Sequence, residues 1–118
     1  MAGEIIARLK TVGGDGSGLQ ELTAASDLVL PPDGNVFNLT GTTGVTTINA
    51  TGPFYPGRIV TLIGTDGTGP AFTDTAIAST AQGKIHLSAA LTLILGATVT
   101  FVCDNGGAWR ETARAVNG

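Results

Sequence analysis

Apolar and polar residues alternate in short bursts along this chain, and no stretch settles into a helical period. Val36-Phe37-Asn38-Leu39-Thr40 and Thr98-Val99-Thr100-Phe101-Val102-Cys103 are the clearest cases. A period of two puts successive side chains on opposite faces of a strand. Strands are predicted to begin at Leu19 and to include Leu28-Val29-Leu30, Val45 to Ile48, Arg58 to Ile63, and a short piece near Phe72. Lys84 to Leu87, Leu91 to Leu95 and Ala108 to Arg114 complete the set. One register of the Arg58–Ile63 run buries Ile59 and Ile63. In the Lys84–Leu87 run, Ile85 and Leu87 are expected inside and His86 outside.

The punctuation is as regular as the strands. Pro31-Pro32-Asp33-Gly34 and Asp66-Gly67-Thr68-Gly69-Pro70 are turn sequences. Asp104-Asn105-Gly106-Gly107 is the strongest hairpin signal, since Asn-Gly suits a turn that needs positive φ. The strand after it should run antiparallel to the one before. About eight or nine short strands at this spacing predict an all-β fold, a small antiparallel β-sandwich or jelly-roll-like barrel.

The 118-residue chain fits one domain, and its composition agrees with the pattern. It holds 18 glycines for turns and as many threonines, whose branched side chains favour strands. Charged residues make up 13% of the chain, well below the ~25% of a typical soluble domain. Mean hydropathy is +0.30 although aromatics are only 5%. An apolar chain with so little charge is expected to cover part of its surface in an oligomer. The net charge of −3 and the absence of a basic patch argue against nucleic acid. The longest apolar run, Leu91 to Val102, is broken by Thr92, Gly96, Thr98 and Thr100 and is too short to span a bilayer. Met1-Ala2-Gly3-Glu4 has neither the basic nor the apolar segment of a secretory signal.

Residues 1–18 differ from the rest of the chain. Glu4-Ile5-Ile6-Ala7-Arg8-Leu9-Lys10 reads as a helical turn or two, or as an extended strand. Gly13-Gly14-Asp15-Gly16-Ser17-Gly18 has the composition of a flexible linker. The segment is therefore an arm on a hinge, or else a frayed terminus, with the β domain occupying 19–118.

Candidate chemistry is sparse. His86, the only histidine, sits in an alternating strand with no partner at nucleophile–base spacing. Cys103, the only cysteine, reads as a small core residue and cannot form an internal disulfide. No metal-ligand spacing accompanies either residue, so neither a metal nor a cofactor is expected. Asp66, Asp74 and Asp104 lie in turns, where Asp normally caps backbone groups. The motifs at Asn38 and Asn49 match the glycosylation pattern but are expected by chance in so Thr-rich a chain. Trp109 is either a core anchor beside the hairpin or an exposed platform for a sugar or a partner, and Tyr55, in a Pro-rich loop, is a second candidate contact.

Several segments in order resemble a β module of tailed-bacteriophage structural proteins: Val36 to Ile48, Pro56 to Ile63, Gly83 to Leu87, Gly96 to Asp104, and Gly107 to Glu111. The resemblance covers roughly residues 26–114 and lies in the order of the segments more than in any one. Such modules occur in tail fibres, tailspikes and capsid decoration proteins, commonly as homotrimers. The resemblance implies a non-enzymatic virion protein on the outer surface of the capsid, a homotrimer bound to the major capsid protein. The short chain with an arm suits decoration better than a full tail fibre. Ile5, Ile6, Arg8 and Leu9 would then be the capsid-binding arm. The alternative is a short head or tail fibre module that binds host-surface glycan through Tyr55 and Trp109.

Overall fold

A computed structural model describes residues 18–52, 55–75 and 81–116. These residues contain ten strands and no helix. The strands are β1 (Gln20–Thr23), β2 (Asp27–Leu30), β3 (Val36–Thr40), β4 (Thr47–Ala50), β5 (Ile59–Gly64), β6 (Ala71–Phe72), β7 (Ile85–His86), β8 (Leu91–Thr92), β9 (Thr98–Cys103) and β10 (Trp109–Ala115).

All-β character is as the sequence predicts, but the strands are not wound as an antiparallel sandwich or a jelly roll. The first half of the chain coils. β1 pairs parallel with β3 (Leu22 beside Leu39), and β3 pairs parallel with β5 (Phe37 beside Leu62). On a second side of the coil, β2 pairs parallel with β4, setting Leu28 beside Ile48. Val45 forms a parallel bridge to Phe72 at a third side. Each turn of chain thus lies on the one before it, which makes the domain a β-solenoid. A parallel ladder needs a crossover between its strands, and here the next side of the coil supplies it in place of a helix.

The second half closes the coil. β9 returns antiparallel along β5, β10 folds back antiparallel on β9, and β7 adds parallel to β10. The result is a six-stranded sheet in the order β1-β3-β5-β9-β10-β7. β6 and β8 form a separate antiparallel pair.

The core lies inside the coil. Phe37, Leu39, Leu62, Val99 and Phe101 come from the six-stranded sheet, and Leu28, Leu30 and Ile48 from the β2–β4 side. Phe72 reaches Phe101 with ring centroids 6.0 Å apart, within the range of favourable aromatic pairs. The stretch through Leu93 and Ile94 passes so close to β5 that a Cβ on Gly64 would overlap the Ile94 carbonyl oxygen. Only glycine fits there.

Two registers differ from the sequence expectation. In β5 the buried residues are Val60 and Leu62, whereas Ile59 is 54% exposed and Ile63 half-buried. Both parities of that run are apolar, so alternation alone did not choose between them. His86 is buried, not solvent-facing, because the chain at Thr75 lies over the β7 edge and its carbonyl sits 3.0 Å from His86 Nδ1.

Candidate functional site

Polar side chains in this fold are spent on fastening loops to the coil. The β9–β10 hairpin shows how. Gly107 N–H donates to the Asp104 carbonyl (3.1 Å), and Asp104 N–H donates to the Ala108 carbonyl (2.8 Å). The positive φ expected at Asn105 falls instead on Gly107, at 86°. A turn followed by a left-handed glycine is the usual three-residue hairpin connection. Asp104 holds it together. Its carboxylate accepts from Gly106 N–H (2.9 Å), Ala108 N–H (3.0 Å) and Arg110 Nε (3.0 Å). Burial disfavours this carboxylate, but the Ala108, Gly106 and Arg110 donors outweigh it and hold its pKa below the usual range.

A second fastening joins β10 to the loop after β7. Glu111 and Arg114 are three residues apart and would face opposite ways in a regular strand. The bulge between Glu111 and Ala113 shifts the register, so Glu111 lies beside Phe101 and Arg114 beside Val99. Both side chains then point to the same face. Glu111 Oε1 accepts from Arg114 Nη2 (2.7 Å) and from Ser88 N–H (2.8 Å), and a second bond joins Oε2 to Arg114 Nε. The Arg114 bond, opposed by burial and helped by Ser88, holds the Glu111 carboxyl below the usual range. Arg114 also donates to the carbonyls of Ala89 (2.8 Å) and Ala90 (2.9 Å).

Arg58 does the same for the turn after β2, donating through Nη2 to the carbonyls of Pro31 (2.9 Å) and Gly34 (2.8 Å). Burial lowers its pKa, opposed by the nearby Asp33, Cys103 and Tyr55. Asp66 and Asp74, read as turn caps, accept backbone N–H groups from Thr68 and Leu87, each at 2.9 Å. Asp27 accepts from Thr47 Oγ1 (2.8 Å) and Asn49 Nδ2 (2.7 Å) across the β2–β4 pair.

The sequence-predicted contacts part company. Trp109 is 2% exposed, beside Cys103 and Ile85 in the sheet, so it is the core anchor and presents no platform to a sugar. Tyr55 is 55% exposed on the turn before β5. Ile5, Ile6, Arg8 and Leu9 lie outside the described residues. Cys103 is buried, and burial together with Asp104 pushes its thiol pKa up, which keeps it protonated and unreactive. His86 Nε2 is buried without a hydrogen-bond partner among the described residues. No group of three metal-ligating side chains occurs among the described residues.

What the fold does bring together is a surface. On the outward face of the six-stranded sheet, one row runs Glu21, Asn38, Ile63, Thr98, Ala115. The next row is Val36, Thr61, Thr100 and Ala113, with the Thr61 and Thr100 hydroxyls 2.8 Å apart. A third is Ile59, Val102 and Arg110, ending at His86. Between Glu21 at one corner and Arg110 at the opposite corner, the face is made of Thr, Val, Ile, Ala and Asn. Composition hinted at such a surface, but only the sheet order assembles it. Compared with models of known protein families and with curated proteins, the sequence matches none of them.

Proposed function

We propose that this chain is a non-enzymatic structural protein of a phage particle, a homotrimer that binds the major capsid protein on the outside of the assembled head and stabilises the shell. The observation that carries this reading is the use made of the ionisable side chains. Asp27, Asp66, Asp74, Asp104, Glu111, Arg58 and Arg114 each bind backbone groups or neighbouring strands, so their charge goes into a stiff frame. A solenoid so fastened offers rigid surface to partners, and its low charge suits burial between subunits.

Decoration works by mass action: a protein that binds only the assembled shell lowers the free energy of that state. Three weak contacts on one trimer add avidity. In this reading Ile5, Ile6 and Leu9 bury against the coat as an added strand, with Arg8 at the rim. The first test is mass by light scattering at micromolar concentration. Three times the 11.8 kDa chain mass is expected, and a monomer at that concentration would remove the trimeric reading.

A further inference from the structure

Resting on that homo-oligomeric reading, we propose that the outward face of the six-stranded sheet is the surface through which copies of this chain join, with Glu21 of one copy meeting Arg110 of the next. Three observations carry it. The centre of the face, Thr61 and Thr100, is uncharged and its hydroxyls are already bonded to each other, so covering it strands few polar groups. Ile59, 54% exposed, stands beside Val102 on the same face and gains most from being covered. The two charges of the face are opposite in sign and stand toward opposite sides of the sheet, on β1 and β10.

That last feature selects the occupant and the symmetry. With the face turned toward a three-fold axis, the β1 side of each sheet falls beside the β10 side of its neighbour. Such a head-to-tail contact, repeated by the same rotation, closes a ring that leaves no acidic or basic corner unmatched. Arg110 holds Asp104 through Nε alone, and its side chain is 36% exposed, so the outer end of the guanidinium remains presented. Size also favours a ring. Five strands about 4.8 Å apart and roughly five residues long make a plane of only ~400 Å². A standard pairwise interface takes ~800 Å² from each partner, so closure around several copies suits this face better than one flat contact.

The test uses the full chain carrying Glu21→Cys and Arg110→Cys together. Within one chain these positions lie four strand spacings apart, ~19 Å, far beyond the ~7 Å limit between Cα atoms for a disulfide. Mild oxidation should therefore link different copies, giving dimer and trimer bands on a non-reducing gel, whereas neither single variant goes beyond a dimer. Thr61→Arg, which places like charges together at the centre, should raise the dissociation constant about 100-fold or more while the circular dichroism spectrum stays unchanged. A double-cysteine variant that stays trimeric by light scattering but does not cross-link, with Thr61→Arg also trimeric, overturns this face and leaves the homotrimer standing. A parent chain that is monomeric overturns the oligomeric reading itself.

Discussion

Replacing Glu111 by alanine should cost this fold about 2–4 kcal/mol. The side chain is 3% exposed and joins three things at once: Arg114, the Ser88 backbone N–H and the Ser88 hydroxyl. Removing one member of a buried ion pair typically costs about 3–5 kcal/mol, because the other charge is left without its partner. Arg114 is 21% exposed and keeps the Ala89 and Ala90 carbonyls, so part of that loss is recovered by hydration. The Ser88 N–H, now unbonded, adds about 1 kcal/mol unless water reaches it. For a domain of this size, each kcal/mol moves the melting temperature by roughly 4–8 °C, so a fall of about 10–25 °C is expected. Trp109, the only tryptophan and buried beside the same strand, reports unfolding by its fluorescence in a urea titration. A loss under about 0.5 kcal/mol with an unchanged urea slope would refute a tie between β10 and the loop after β7.

Glu111 and Asp104 have folded pKa values held below their unfolded ones, so their contribution is complete above about pH 5 and declines as pH falls through 4 and below; an acid titration of stability should show this fall, and a flat profile from about pH 6 to 3 would contradict it. Trp109→Ala should destabilise by about 3–5 kcal/mol, as large core truncations do, and unchanged melting would show that the ring is not a core anchor. Gly64→Ala places a methyl against the Ile94 carbonyl, where backbone must move, so a loss of about 1–3 kcal/mol or more is expected by thermal melting. Cys103 should resist thiol reagents in the folded protein and react on unfolding, since it is buried with a raised pKa; fast labelling under native conditions would contradict the packing.

How far the sequence reaches can be judged strand by strand. Val36–Thr40 and Thr98–Cys103 alternate cleanly and are strands at the expected bounds, with Phe37, Leu39, Val99 and Phe101 inside. Asp104 was legible as a turn cap because Asp before a Gly-rich turn has few other roles. Parallel stacking was not legible. Alternation tells which way a side chain points and is silent about which strand lies next to it. The coil also has no fixed repeat: Gln20 finds Phe37, whereas Val36 finds Thr61, so turns of unequal length hide the period. The Glu111–Arg114 pair was hidden for a different reason, since only the bulge brings that spacing onto one face. Arg58 reads in sequence as the polar start of a strand; its task of binding two carbonyls of a distant turn appears only once the coil sets β5 beside that turn.

Decoration is tested most directly on the particle. Purified phage heads and unassembled coat protein would each be incubated with increasing amounts of this chain and sedimented. A decoration protein should bind assembled heads saturably, in multiples of three chains per site, and should not bind free coat. Deleting residues 2–12 should abolish binding although the β domain stays folded. Retained binding after that deletion would assign the contact to the β domain in place of Ile5, Ile6 and Leu9. Absence of head binding by the intact protein, with saturable binding to host cells or their surface glycan, would contradict decoration and favour a fibre module acting through Tyr55.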